Sequence, residues 1–247
     1  MRRKLNSLFH RAYRAFTERV VSGVEIGKEL DINALISPLR YDILIRIRFI
    51  RELTKNQGLY EKDLGAFLQL RAARDYYTWF KHVPLALYRP ELGGNDQLIQ
   101  PLFVDRVHRT VNLWSSIQRR GFDLSQRIRL ASGTTVRVPN GKQVLDQFFA
   151  GDGCHRLACL YALGLRRLEP KYYDVVVVPV LEPIDSTSIL RGALPISDSE
   201  YLRFLSRRYW DGREVRSPEE LCQHVAKEFP GSIAELRSIL AADRVGQ

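Results

Sequence analysis

The segment that most constrains this chain is LDQFFAGDGCHRLACLYALG, residues 145–164. An apolar run leads into Gly151-Asp152-Gly153, and apolar residues then recur at helical spacing as far as Gly164. The pattern predicts a strand, a tight turn and a helix from about Cys154 to Leu163. Glycine permits backbone conformations and close approaches that a side chain would block. The first N–H groups of a helix lack internal partners and stand at the positive end of its dipole. Such a terminus accepts a phosphate. His155 and Arg156 fall in the first helical turn, and an Arg adds full charge and a bidentate fork. The expected phosphate site is therefore Gly151, Gly153, Cys154, His155 and Arg156. The segment is not a P-loop, which requires G-x-x-x-x-G-K-[ST]. Nor is it a dinucleotide fingerprint, since the third glycine is missing.

The flanking sequence sets the context. LIQPLFV, from Leu98, reads as a strand or extended edge. Val107, Val111, Trp114 and Ile117 then predict a helix to Arg120, closed by Gly121. TTVRV and QVLDQFF flank Pro139-Asn140-Gly141-Lys142, a hairpin signal. YYDVVVVPV reads as a strand buried on both faces. Upstream, Ser37-Pro38 followed by LRYDILIRIRFIREL predicts an N-cap, a proline at the first helical position and a helix burying Leu39, Ile43, Ile47 and Ile50. A second helix is expected near Glu61–Arg74. The aromatics Tyr76, Tyr77, Trp79 and Phe80 read as core packing rather than a base-stacking platform. Tyr88–Asn95 reads as a linker. Downstream, Tyr201, Leu202, Leu205 and Tyr209 line a helix. Ser217-Pro218-Glu219-Glu220 and Ser232-Ile233-Ala234-Glu235 fit capping boxes. The expected organisation is a helical region 1–96, a core 97–196 and a helical region 197–247.

Charge adds a partner question. The chain carries 38 basic and 28 acidic residues, a net +10. Half of that excess lies in residues 1–19, where six basic residues meet Glu18 alone. Leu5, Phe9, Ala12, Phe16 and Val20 recur at helical spacing among them, so a basic amphipathic helix is expected. It packs on its own domain, or it meets anionic lipid or another acidic partner. No 18-residue stretch is free of charge, which excludes a spanning helix. The three cysteines, Cys154, Cys159 and Cys222, are odd in number and not spaced as C-x-x-C. A disulfide framework and a zinc finger are both disfavoured, and a reducing cytoplasm is expected, with a peripheral location at the inner membrane face as the variant that the basic helix suggests.

The box Asp152-Gly153-Cys154-His155-Arg156-Leu157-Ala158 resembles the D-G-x-H-R-x-A box of the ParB/sulfiredoxin superfamily. Leu113-Trp114-Ser115-Ser116-Ile117 with Gly121, the hairpin and the strand Val175–Pro179 follow in a similar order. The resemblance covers roughly residues 97–181. It implies an α+β fold with a small mixed sheet, extended by helices at both ends. It also implies a nucleoside phosphate held at the helix start. ParB-type members bind CTP there, sulfiredoxins use the Cys and ATP, and a third branch phosphorylates free serine.

From the resemblance, the expected function is a nucleotide-dependent phosphotransferase, with ATP as first choice, or a nucleotide hydrolase. The acceptor is a small hydroxylated or glycan-type molecule. Phosphoryl transfer is mostly positioning and charge neutralisation. Asp152 is the candidate for Mg²⁺ or for proton acceptance, His155 the second catalytic candidate, and Asp146 and Glu182 are further carboxylates. Two alternatives belong to other classes. One is a ParB-like nucleic-acid-binding protein without catalysis, although no helix-turn-helix stands out and residues 197–247 are slightly acidic. The other is a sulfiredoxin-like ATP-dependent reductase using Cys154.

Overall fold

The computed structural model describes residues 19–36, 38–136, 148–210 and 214–245; side chains of Thr134 and of residues 242–245 are outside the description. The basic segment 1–18, Ser37, the turn Pro139–Lys142 and Asp146 lie outside the described residues.

The fold is α+β with a small mixed sheet. The described chain opens with β1 (Arg19–Ser22), α1 (Gly23–Ile26), β2 (Leu30–Asp31), α2 (Ile32–Ile36) and α3 (Tyr41–Lys55). Next come α4 (Gln57–Lys62), α5 (Leu64–Leu68) and α6 (Arg71–Phe80). A π-helical turn, Lys81–Leu85, leads into the short α7 (Ala86–Tyr88), and α8 (Asp96–Arg120) follows. Then come β3 (Ile128–Val136), β4 (Phe149–Asp152), α9 (Cys154–Ala162), β5 (Arg167–Leu168) and β6 (Tyr173–Leu181). The chain closes with α10 (Ser186–Ala193), α11 (Asp198–Ser206), α12 (Pro218–Glu228) and α13 (Ile233–Val245).

Four strands form a sheet in the order β1-β6-β3-β4, with β6 parallel to β3 and antiparallel to β1. β3 and β4 pair antiparallel, and their register shifts between Arg129 and Leu130. β2 and β5 form a separate two-stranded ribbon. Helix α3 runs through the middle of the molecule, packed against α9 and α6. Leu39, Ile43, Ile47 and Ile50 are buried as the spacing predicts, but so are Ile45 and Phe49. Over its first seven residues the helix is buried on every side, and each apolar side chain there contributes roughly 1.5–3 kcal/mol. Residues from before position 96, from 97–196 and from after 197 share one apolar core. Tyr76, Trp79 and Phe80 lie in it, matching the packing reading.

Several expectations are corrected. LIQPLFV is not a strand; it lies within α8, whose start is capped by the Asn95 side chain accepting from the Gln97 N–H. The buried series Ile99, Phe103, Val107, Thr110, Trp114 and Ile117 keeps helical spacing throughout. That continuous face outweighs the one hydrogen bond lost at Pro101. Gly121 closes the helix at φ +79, as expected. Helix α3 begins at Tyr41, not directly after Pro38. The Pro38 and Leu39 carbonyls instead accept from the Thr187 and Ser186 hydroxyls, and the Tyr41 N–H donates to Thr187 Oγ1 at 3.1 Å. The single helix expected over Glu61–Arg74 is divided among α4, α5 and α6, and Asp63 caps α5 by accepting from the Ala66 N–H. Ser217 caps α12 as predicted, by accepting from the Glu220 N–H. Ser232 instead ends a 3₁₀ turn, and Glu235 is buried with Arg208 Nη2 at 3.5 Å. Strand β6 is buried at Tyr173 and Val175, but its second half is exposed at Pro179 and Val180, on both faces.

Candidate functional site

The strand–turn–helix forms where the glycine pattern places it. Gly153 adopts φ +82, and a Cβ there would meet Ile128 Cα and Arg156 Nη2, each at 3.1 Å. The Gly153 N–H donates to Asp152 Oδ1 at 2.6 Å, and the Gly153 carbonyl accepts the Leu157 N–H at 2.9 Å. The first-turn N–H groups of Cys154, His155 and Arg156 precede any i→i−4 partner within α9.

Three side chains of the box then diverge. His155 turns into the core: its Nε2 lies 2.7 Å from the Tyr76 hydroxyl, itself 2.8 Å from Thr110 Oγ1. The ring stands edge-on to Trp79 and Tyr76. Burial, reinforced by Arg46 and Arg106, holds the imidazole pKa well below its ordinary 6.5. The half-buried ring is engaged by Tyr76 and does not line the cleft, so the His155 side chain leaves the catalytic and phosphate-binding sets. Arg156 folds back over Gly153, with Nη1 3.1 Å from Gln126 Oε1 and Nη2 3.9 Å from Asp152 Oδ2. Only Gly151, Asp152 and Cys154 of the box line the adjacent cleft, whose volume is about 1020 Å³.

The cations of that cleft come from the start of α3, Arg40 from its N-cap and Arg46 from its second turn. Arg40 grips Asp42 with two bonds, Nε to Oδ1 at 2.9 Å and Nη2 to Oδ2 at 3.0 Å. Arg46 Nη1 donates to the same Oδ2. Ser186 Oγ lies 2.6 Å from Asp42 Oδ1. Arg46 also lies flat against Trp79, 4.0 Å from its ring centroid, while its buried Nε has no partner among the described residues. Two guanidinium groups thus share one carboxylate at the floor, while Asp152 and Glu182 also line the cleft. Burial alone would raise the Asp42 pKa, but Arg40 and Arg46 overcome this and hold it well below the carboxylate range. Burial would likewise lower the Arg40 pKa, and Asp42 with Cys154 raises it instead. Arg40 Nη2 reaches the Cys154 sulfur at 3.0 Å, and that sulfur lies 3.2 Å from the Gly151 carbonyl oxygen.

The remaining walls are apolar. Val176, Val178 and Val180 project from one face of β6, since alternate residues of a strand share a face. Val83, Pro84, Leu87 and Tyr88 face them from the π-turn and α7. Pro84 lacks an N–H, and π-turns of this kind recur beside functional sites. Glu182 also lines the cleft, just beyond β6.

The floor was missed in the sequence, although a signal stood in LRYDILIRIR. Asp42 and Arg46 form an i,i+4 pair inside a helix whose first seven residues are all buried. Buried charges occur only when paired, so such a pair marks a fixed network. For a metal, Asp152 offers a side chain 77% exposed at the mouth of the cleft. Among the described residues no group of three or more His, Cys, Asp or Glu side chains is arranged to hold a metal ion. A magnesium ion commonly takes one or two carboxylates and completes its shell with substrate phosphates, which Asp152 fits. Among the described residues no helix is long and apolar enough to cross a membrane.

No protein-family model, no curated protein and no solved structure matches this chain.

Proposed function

We propose that the protein is a nucleotide-dependent phosphotransferase or nucleotide hydrolase related to the ParB/sulfiredoxin superfamily. One observation carries the reading: the N-terminus of α9 and the paired guanidinium groups of Arg40 and Arg46 meet in a single cleft. The nucleotide phosphates lie against the first-turn N–H groups of α9, as anions do at helix starts. Arg40 and Arg46 neutralise charge on the transferring group, in a partly enclosed site where such charges act strongly. Asp152 would hold Mg²⁺ brought by the nucleotide, and that ion would supply further charge neutralisation. In transfer, the acceptor hydroxyl oxygen forms a bond to the γ-phosphorus and the bond to the bridging oxygen breaks. The nucleoside diphosphate leaves, and the hydroxyl proton passes to water.

Thermal unfolding with and without Mg-ATP tests the reading. Ligand at 100 times its Kd adds about 2.7 kcal/mol, which for this chain length is a Tm rise of roughly 5–10 °C. The rise is expected to shrink in Arg40→Ala and to persist in Arg156→Ala. Absence of a shift with ATP, CTP and GTP would remove the reading.

A reductase reading has one observation of its own, the Arg40 guanidinium on the Cys154 sulfur. Cys154→Ser separates the two: a transferase keeps most of its activity, and a thiol-dependent reductase loses all of it.

A further inference from the structure

We infer that the apolar half of the cleft receives the aliphatic chain of an amphiphile: the acceptor is a long-chain alcohol and its phosphate ester the product, a reading that rests on the phosphotransferase proposal. The cleft is asymmetric. At one end stand Arg40, Arg46 and the start of α9, with Asp42 and Asp152; towards the other, the walls are aliphatic and aromatic apart from Glu182. Val176, Val178 and Val180 make a stripe along β6 about 13 Å long at strand rise. The far end opens to solvent among side chains that soluble proteins ordinarily cover. Tyr88 is 74% exposed, Leu87 48%, Ile184 45% and Val180 44%, and all four line this one cleft. Contiguous exposed apolar surface of this kind marks an interaction site.

Charge complementarity selects the occupant. A purely apolar ligand leaves the Arg40 and Arg46 guanidinium groups and the α9 N–H groups unanswered. A small hydrophilic acceptor leaves the apolar walls wet. A phosphate on an aliphatic chain satisfies both ends at once. Its head meets Arg40, Arg46 and the α9 N–H groups, and its chain covers the Val176–Val180 stripe and the Leu87–Tyr88 wall. Before transfer, the alcohol places its hydroxyl where that phosphate forms, beside Asp152.

The test compares dodecyl phosphate, ethyl phosphate and inorganic phosphate, each below the concentration at which it self-associates. Of the three tryptophans in the chain, Trp79 lines the cleft, so its fluorescence and calorimetry both report binding. Dodecyl phosphate is expected to bind more tightly than ethyl phosphate, by about fourfold for each methylene buried. Val178→Ser and Leu87→Ser are each expected to flatten the chain-length dependence. Equal affinity for ethyl and dodecyl phosphate would overturn the inference. So would a sedimenting dimer that Tyr88→Ser abolishes, because a second copy would then be what covers the apolar mouth. Mg-ATP stabilisation without chain-length dependence removes only this inference. Chain-length dependence without any nucleotide effect removes the transferase reading and leaves the chain site in place.

Discussion

Arg40 Nη2 and Cys154 Sγ stand 3.0 Å apart although 114 positions separate them in the chain. The contact ties the start of α3 to the start of α9. It sets the cationic floor against the helix terminus, so the anion site is assembled from two distant segments rather than from one loop.

Asp42→Asn is expected to destabilise the fold by about 3–5 kcal/mol, the usual cost of removing one partner from a buried ion pair. Two guanidinium groups would lose their shared carboxylate. Urea unfolding of the variant against the wild type measures the loss, and a change under 1 kcal/mol would show that the network is solvated.

Gly153→Ala combines a left-handed backbone with a Cβ pressed against Ile128 Cα. The expected loss is about 1–3 kcal/mol. Arg156→Ala in the same chain would relieve the side-chain crowding but not the backbone term. A double-mutant cycle that restored wild-type stability would contradict this account.

His155 makes stability depend on pH. Its folded pKa lies well below 6.5, so the unfolded chain takes up the proton first as pH falls. The contribution is fully present above about pH 6.5 and is lost progressively below it, down to the folded pKa. Unfolding free energy measured between pH 7.5 and 5 should therefore drop more steeply in wild type than in His155→Gln.

Burial pushes the Cys159 thiol up to about 12, which keeps it protonated at neutral pH. Peptide mapping after iodoacetamide at pH 8 should find Cys159 unmodified in the folded protein and alkylated in urea. Alkylation at equal rates in both states would mean that α9 opens readily.

The strand–turn–helix around Gly153 was legible because local turn chemistry dictates it, and so was the buried stripe of α3. The orientation of His155 and Arg156 was not. Both fall in the first helical turn, but the neighbours that claim them, Tyr76 and Gln126, lie 79 and 30 residues away. Periodicity places a residue on a helix face without naming what that face meets. The same gap hid the cationic floor, since Arg40 and Asp42 precede or open a helix whose apolar spacing dominates the pattern. The strand expected at LIQPLFV failed for a different reason: Pro101 obscured a helical period that Ile99 and Phe103 still carried.

The α3 start is held by Thr187, 146 positions downstream, and Ser186 closes on Asp42 across 144. During synthesis, then, a ribosome has released most of the polypeptide before the site can close. A nascent chain arrested ahead of residue 186 holds Arg40, Asp42 and Cys154 but lacks the Ser186 hydroxyl on Asp42 and the Thr187 hydroxyl on the Tyr41 N–H. Contacts of such long sequence separation slow folding. Maturation of the anion site is therefore timed to the emergence of α10.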